Sequence, residues 1–140
     1  MKSTFPLTVG VATALTTMVL IGAGLEWPVS EACAAQPAPP RVSFSEDVLP
    51  LLQFKCASCH QPGGAGYEKS GFDVTSYEGV MKGTKFGAMV VPGDPESSNL
   101  MRLLDWRTSA EIRMPHGKKQ MSICDRDSIR SWIWDGAKDN

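Results

Sequence analysis

From residue 43 onward, apolar positions recur at helical spacing in short bursts, each preceded by a polar residue suited to capping. Ser43-x-x-Glu46, with Ser45, opens the first burst. Val48, Leu51, Leu52 and Lys55 follow at helical spacing, with Pro50 in or near the first turn. This helix runs straight into Cys56. Gln61 to Gly71 holds Pro62 and four glycines and reads as a flexible loop. Thr75-x-x-Glu78 is a capping box and Gly83 a stop, which predicts a helix of about two turns. Asp94-Pro95 predicts an N-cap followed by proline at the first helical position, with Leu100, Met101, Leu103 and Leu104 as the apolar face. Thr108 to Gln120, with Pro115 and Gly117 and no clear period, reads as loop. Ser122-x-x-Asp125 opens the last helix; Ile129, Trp132 and Ile133 form its buried stripe, and Gly136 ends it. No strand pattern of any length and no internal repeat is present. The predicted class is small all-α, about four short helices with long loops.

The chain ahead of residue 36 follows another pattern. Lys2 precedes an uncharged stretch from Phe5 to Leu25, and Ala32-Cys33-Ala34-Ala35 supplies small residues at a cleavage site. This predicts export. Residues 1–35 read as a cleaved signal peptide, favoured by the small-residue site, or as a retained N-terminal membrane anchor, since 5–25 is about long enough to span a bilayer. In the second case residues 5–25 are the sole membrane contact. A lipid anchor on Cys33 is disfavoured by Glu31. Residues 36–42, with Pro37, Pro39 and Pro40, read as an extended linker, and 43–140 as the working domain. The expected location is periplasmic, tethered to the inner membrane if the segment stays.

Composition narrows the function. Fourteen Lys and Arg face fifteen Asp and Glu, a formal charge of −1. Loss of Lys2, Glu26 and Glu31 with the export segment brings the balance to zero. Without a basic patch a nucleic-acid partner is not expected. An apolar fraction of 42% argues against disorder. Four cysteines are too few for a disulfide scaffold.

Two of those cysteines stand in Cys56-Ala57-Ser58-Cys59-His60, a C-x-x-C-H motif. Two thiols three apart at a helix edge can each add to one vinyl group of a haem, and the next residue then aims its imidazole at the iron. Other readings fit less well. A redox C-x-x-C needs a βαβ setting. A zinc site needs a second ligand pair, and Cys124 and His116 do not repeat the spacing. A disulfide leaves His60 unexplained.

From Phe44 to Asn140 the chain resembles the planctomycete-type cytochrome c domain, a branch of the single-haem class I cytochromes c. The stretches that carry the resemblance are Val48-Leu49-Pro50-Leu51-Leu52, the Cys56–His60 motif, Gly71-Phe72-Asp73, Val91-Pro92-Gly93-Asp94-Pro95, Ser98, Leu100, Met114-Pro115 and Trp132-Ile133 with Gly136-Ala137. The resemblance implies a small cytochrome c-like fold around one covalent haem c. It implies Cys56, Cys59 and His60 as haem-binding residues, and Met114 as the distal iron ligand opposite His60. Met114-Pro115-His116-Gly117 departs from the family's Met-Pro-Pro-x-Gly at His116, which leaves His116 open as a surface residue, a propionate or solvent contact, or a rival ligand giving bis-histidine iron. Met81 and Met101, on apolar helix faces, read as core, and Met89 and Met121 as packing.

Other residues carry open readings. Cys124, in the first turn of the last helix, reads as a buried or half-buried thiol; exposure there would favour its thiolate. Trp134 lies opposite the buried stripe and could mark a docking surface. Trp106, Arg102, Arg107 and Arg113 are alternatives for hydrogen-bonding haem propionates. Lys118-Lys119 reads as a solvated pair that could also steer an acidic partner.

The resemblance implies an electron-transfer protein and no catalytic residues. It would act outside the cytoplasm as a carrier or as a subunit of a redox complex, membrane-bound or not, with redox proteins as donor and acceptor. The alternative is a haem enzyme or gas sensor with a displaceable sixth ligand, for which His116 is the only support. A third class is a membrane-tethered subunit serving assembly.

Overall fold

The computed structural model describes residues 41–140. The export segment, Cys33, Met1, Met18 and residues 36–40 of the linker lie outside the described residues.

The chain enters the domain at Ser43, whose hydroxyl accepts the Glu46 N–H at 3.2 Å. The first turn, Phe44–Val48, is wider than an α-turn: Val48 N–H reaches the Ser43 carbonyl at 3.2 Å, and Leu49 N–H reaches that of Phe44. Pro50 has no N–H to give, so a wide turn ahead of it loses little. Helix α1 then spans Leu49–Lys55, with Pro50 in its first turn, as the pattern predicts.

Four more helices follow: α2 Ala65–Ser70, α3 Tyr77–Lys82, α4 Asn99–Leu104 and α5 Ile123–Trp134. Among the described residues there is no strand, only an isolated bridge between Thr84 and Gly87. The all-α class with long loops stands, with five α-helices where the pattern gives about four. No helix among the described residues is long and apolar enough to cross a membrane.

The additional helix is α2, which corrects the flexible loop expected at Gln61–Gly71. It buries no residue and shows no apolar stripe. Its stability is local: Tyr67 N–H donates to the Cys59 carbonyl at 2.9 Å and Ser70 Oγ to the Gly66 carbonyl at 2.7 Å. Gly71, left-handed at φ 72°, closes the end with its N–H on Tyr67.

Two expected caps move. Asp73 takes both the N–H and the hydroxyl of Thr75, at 2.9 and 2.7 Å, so Ser76 caps α3 instead, accepting from Gly79. Asp94 caps only a turn, through Ser97 N–H at 3.0 Å, and α4 starts later, after Ser98. Ser98 is fully buried and donates to the Asp94 carbonyl at 2.8 Å, which ends that turn and sets the direction of α4. The loop after residue 108 contains one 3₁₀ turn, Ala110–Ile112.

Helix α5 packs on the first turn and on α4. Its stripe is buried as the spacing predicts: Ile129, Trp132 and Ile133. Trp132 lies against Phe44 (centroids 5.2 Å) and Tyr77 (6.4 Å), and its indole N–H donates to the Lys138 carbonyl at 2.8 Å. The Tyr77 hydroxyl donates to the Ala137 carbonyl at 2.9 Å. Asn140 joins the two ends of the domain: Phe44 N–H meets its side-chain oxygen at 2.9 Å, and the Ser43 and Ser45 hydroxyls meet its carbonyl.

Charge joins α4 to α5. Asp105, at the C-terminal cap of α4, accepts from Arg126 at 2.6 Å and Arg130 at 2.7 Å. Burial alone would raise its pKa. The hydrogen bonds and charges of Arg130 and Arg126 outweigh that and hold it below the ordinary carboxylate value. A group depressed in the fold stabilises above its unfolded pKa and loses that contribution as pH falls through its folded one. Asp105→Asn is therefore expected to cost about 2 kcal/mol at pH 7, the worth of a charged hydrogen bond. Denaturant titration checks this, and the difference from the parent should shrink as pH drops below the carboxylate range.

Candidate functional site

The Cys56–His60 motif continues α1 by one irregular turn. Cys56 and Ala57 N–H groups both reach back to the Leu52 carbonyl, and those of Cys59 and His60 to that of Cys56, at 3.1 and 3.0 Å. Leu52 is fully buried and anchors the turn. Cys56 is half-buried and Cys59 exposed, and neither is in a disulfide.

His60 is fixed at its backbone and at its ring. Its carbonyl accepts from Val74 N–H at 2.9 Å. Phe72 meets its ring edge-on, with centroids 5.6 Å apart. Nδ1 is buried without a hydrogen-bond partner. Burial lowers the imidazole pKa, opposed by the backbone of Phe72, so the neutral form that can ligate a metal is favoured.

Cys56, Cys59, His60 and Met114 all line one cavity of about 720 Å³. Its apolar wall includes Leu52, Phe72, Val74, Met89, Leu100 and Leu104. The volume is within the range of sites that enclose a cofactor-sized ligand. Two soft thiols, an imidazole lacking a partner and a thioether facing one apolar space fit a covalently held haem. Among the described residues no three of His, Cys, Asp and Glu are grouped to hold a metal ion by themselves.

Met114 reaches the cavity from the long loop, and its backbone is held on both sides. Its N–H donates to the Leu103 carbonyl at 3.3 Å, and its carbonyl accepts the Trp106 indole N–H at 3.0 Å. Met114 is half-buried, whereas His116 is exposed yet lines the same cavity. Met89 is buried and forms part of the wall; Met101 and Met121 are buried and Met81 packs against the core.

The four residues offered for propionates separate. Trp106 is spent on Met114. Arg107 pairs with Glu96 at 2.9 Å and lies 3.7 Å from Asp105. Arg113 donates to the Thr108 carbonyl at 3.2 Å and stacks over Trp106. Arg102 alone lines the cavity. Thr108 lines it too, and its buried hydroxyl has no partner; nothing in the sequence marked this residue. Lys118 lines the cavity and Lys119 is exposed.

Cys124 departs from expectation. It is exposed, not buried or half-buried, because it lies off the face of α5 that carries Ile129 and Ile133. Trp134, at 71% exposure, lies on the solvent side as the spacing predicts.

Residues 56–116 match the family model described as planctomycete cytochrome C, which supports a planctomycete-type cytochrome c domain there. The match begins at the first cysteine of the motif and closes just past Met114. A cytochrome c domain implies covalent haem c and a haem-based redox role. No curated protein and no solved structure matches the chain.

The two motif thiols differ in environment. Burial pushes the Cys56 thiol up to about 11; Lys118 and Lys55 pull it down, and Cys59 adds to the rise. Relative to an ordinary thiol this lowers its reactive thiolate at neutral pH by about 100-fold. In haem-free protein, iodoacetamide at pH 7 is expected to label exposed Cys59 and Cys124 well before Cys56. Peptide mapping over a time course checks this order.

Proposed function

We propose that this protein is a single-haem c-type cytochrome that transfers electrons outside the cytoplasm, as a carrier or as a subunit of a redox complex. The observation that carries the reading is the convergence of Cys56, Cys59, His60 and Met114 on one apolar cavity. In this reading Cys56 and Cys59 would hold the haem through thioether bonds, and His60 and Met114 would hold its iron. The bound haem supplies one-electron chemistry between ferrous and ferric iron.

The chain's own residues fix ligands and exclude water. Phe72, Val74, Leu100 and Leu104 keep the cavity apolar. The bonds of Met114 to Leu103 and Trp106 hold its backbone in place beside the cavity. A closed ligand set needs no further catalytic group. Export is supported by the segment 1–35. Docking of a redox donor and acceptor is supported by Phe86 and Ile112, which are 79% and 52% exposed and line the cavity. Lys55, Lys69 and Lys118 lie along the same cavity and favour carboxylates on the partner.

A second reading, a haem enzyme or gas sensor with a displaceable sixth ligand, draws on one observation. His116 lines the same cavity two residues from Met114.

The reading is tested on the purified full chain. Its mass should rise by one haem that survives denaturation, and Cys59→Ala should weaken that attachment. Of Cys56, Cys59 and Cys124, only Cys124 should then react with a thiol reagent. Met114→Ala is expected to lose the weak red-end band of the ferric spectrum, bind carbon monoxide rapidly when reduced and lower the potential. His116→Ala should leave all three unchanged. Rapid carbon monoxide binding by the unaltered protein at neutral pH would favour the second reading.

A further inference from the structure

We propose that Gly66 is a positioning residue for the His60 imidazole: its missing side chain lets α2 lie against the ring and set the plane of the ring. The inference rests on the reading of His60 as a ligand of the haem iron.

A β-carbon added to Gly66 would stand 2.8 Å from His60 Cε1, 3.0 Å from Nδ1 and 3.0 Å from the Cys59 carbonyl oxygen. Side chains do not pack at such distances, so the ring or the helix would have to shift. The helix has little room. Tyr67 N–H holds the Cys59 carbonyl at 2.9 Å, and Ser70 Oγ holds the Gly66 carbonyl at 2.7 Å. Gly64 is pressed harder still, since a β-carbon there would meet the Cys59 carbonyl oxygen at 2.5 Å. On the motif side, Val74 N–H pins the His60 carbonyl at 2.9 Å. Buried Phe72 also meets the imidazole edge-on. The freedom left is rotation of the imidazole.

Backbone conformation does not explain the glycine. Gly66 is inside a helix and has no positive φ, in contrast to Gly63 and Gly71. Alanine would form that helix better. Close approach is the remaining reason for glycine at this position. Groups around a metal-ligating histidine orient its ring and thereby tune the metal. Here steric contact from Gly66 acts on the ring beside the Phe72 backbone, which also faces the imidazole.

The test is made on ferric holoprotein by proton NMR, where the haem-methyl shifts report the plane of the axial imidazole, together with the midpoint potential. Gly66→Ala is expected to keep its covalent haem, by mass, while the spread of the haem-methyl shifts changes and the potential moves. Glu68→Ala, on the exposed side of α2, should alter neither. Haem-methyl shifts and potential unchanged in Gly66→Ala overturn the proposal. Should Gly66→Ala fail to fold, the unaltered holoprotein decides. Nuclear Overhauser contacts between the Gly66 α-protons and the His60 ring support the proposal, and their absence overturns it. Absence of covalent haem from the unaltered protein would instead defeat the functional reading on which this rests.

Discussion

The apolar side chains of this domain serve two surfaces at once, and the rest of the structure depends on that division. Phe44, Val48, Ile129, Trp132 and Ile133 close on one another and fill a conventional core. Leu52, Phe72, Val74, Leu100 and Leu104 belong to the same cluster but also wall the cavity of about 720 Å³. A domain of about a hundred residues has little apolar surface to spare, and small domains hold only about 5–15 kcal/mol of net stability. Directing so much of that surface at a cofactor links folding to cofactor attachment, since whatever binds the folded state alone stabilises it. In the proposed reading, covalent linkage through Cys56 and Cys59 would make that contribution independent of free haem concentration.

A wall that faces a ligand cannot be braced by protein packing across the gap, and here hydrogen bonds brace it from behind. Gln120 donates to the Leu104 carbonyl at 3.0 Å, and Lys85 N–H to that of Ser70 at 2.8 Å. The bonds of Met114 to Leu103 and Trp106 fasten the loop that carries Met114 to the end of α4 in the same way. Asp105, clasped by Arg126 and Arg130, then fixes α4 to α5. The backbone position of Met114 is thus inherited from the core through α4, although its loop holds only a single 3₁₀ turn.

What could be read from the sequence follows from where the information is stored. The Cys56–His60 motif is local and chemically specific, so it is visible in five residues. Helices α1 and α5 are legible because Ser43 caps the turn that leads into α1, Ser122 caps α5, and an apolar face follows. Helix α2 is not, because its partner is the backbone of Cys59 and its glycines record a close approach that composition reads as flexibility. The cap of α3 moved by one residue because Asp73 competes for Thr75, a choice between neighbours that spacing cannot settle. Arg107 and Arg113 looked equivalent to Arg102 until their partners were seen. Thr108 leaves no trace in the sequence, since its interest lies only in a hydroxyl buried without a partner. Cys124 was misjudged on residue type, although the periodicity of α5 already placed it off the buried face.

The bond between the two ends of the domain has a mechanical side. Ser43 and Ser45 grip Asn140 where the chain emerges from the linker. If the segment before residue 43 is held or pulled, tension entering at Val42 meets these hydrogen bonds before it reaches α1. The load passes to Asn140 and, through the Trp132 and Tyr77 bonds to the preceding carbonyls, into the aromatic cluster. Strain applied at Val42 is therefore met at the joined ends of the domain, away from the turn that faces its cavity.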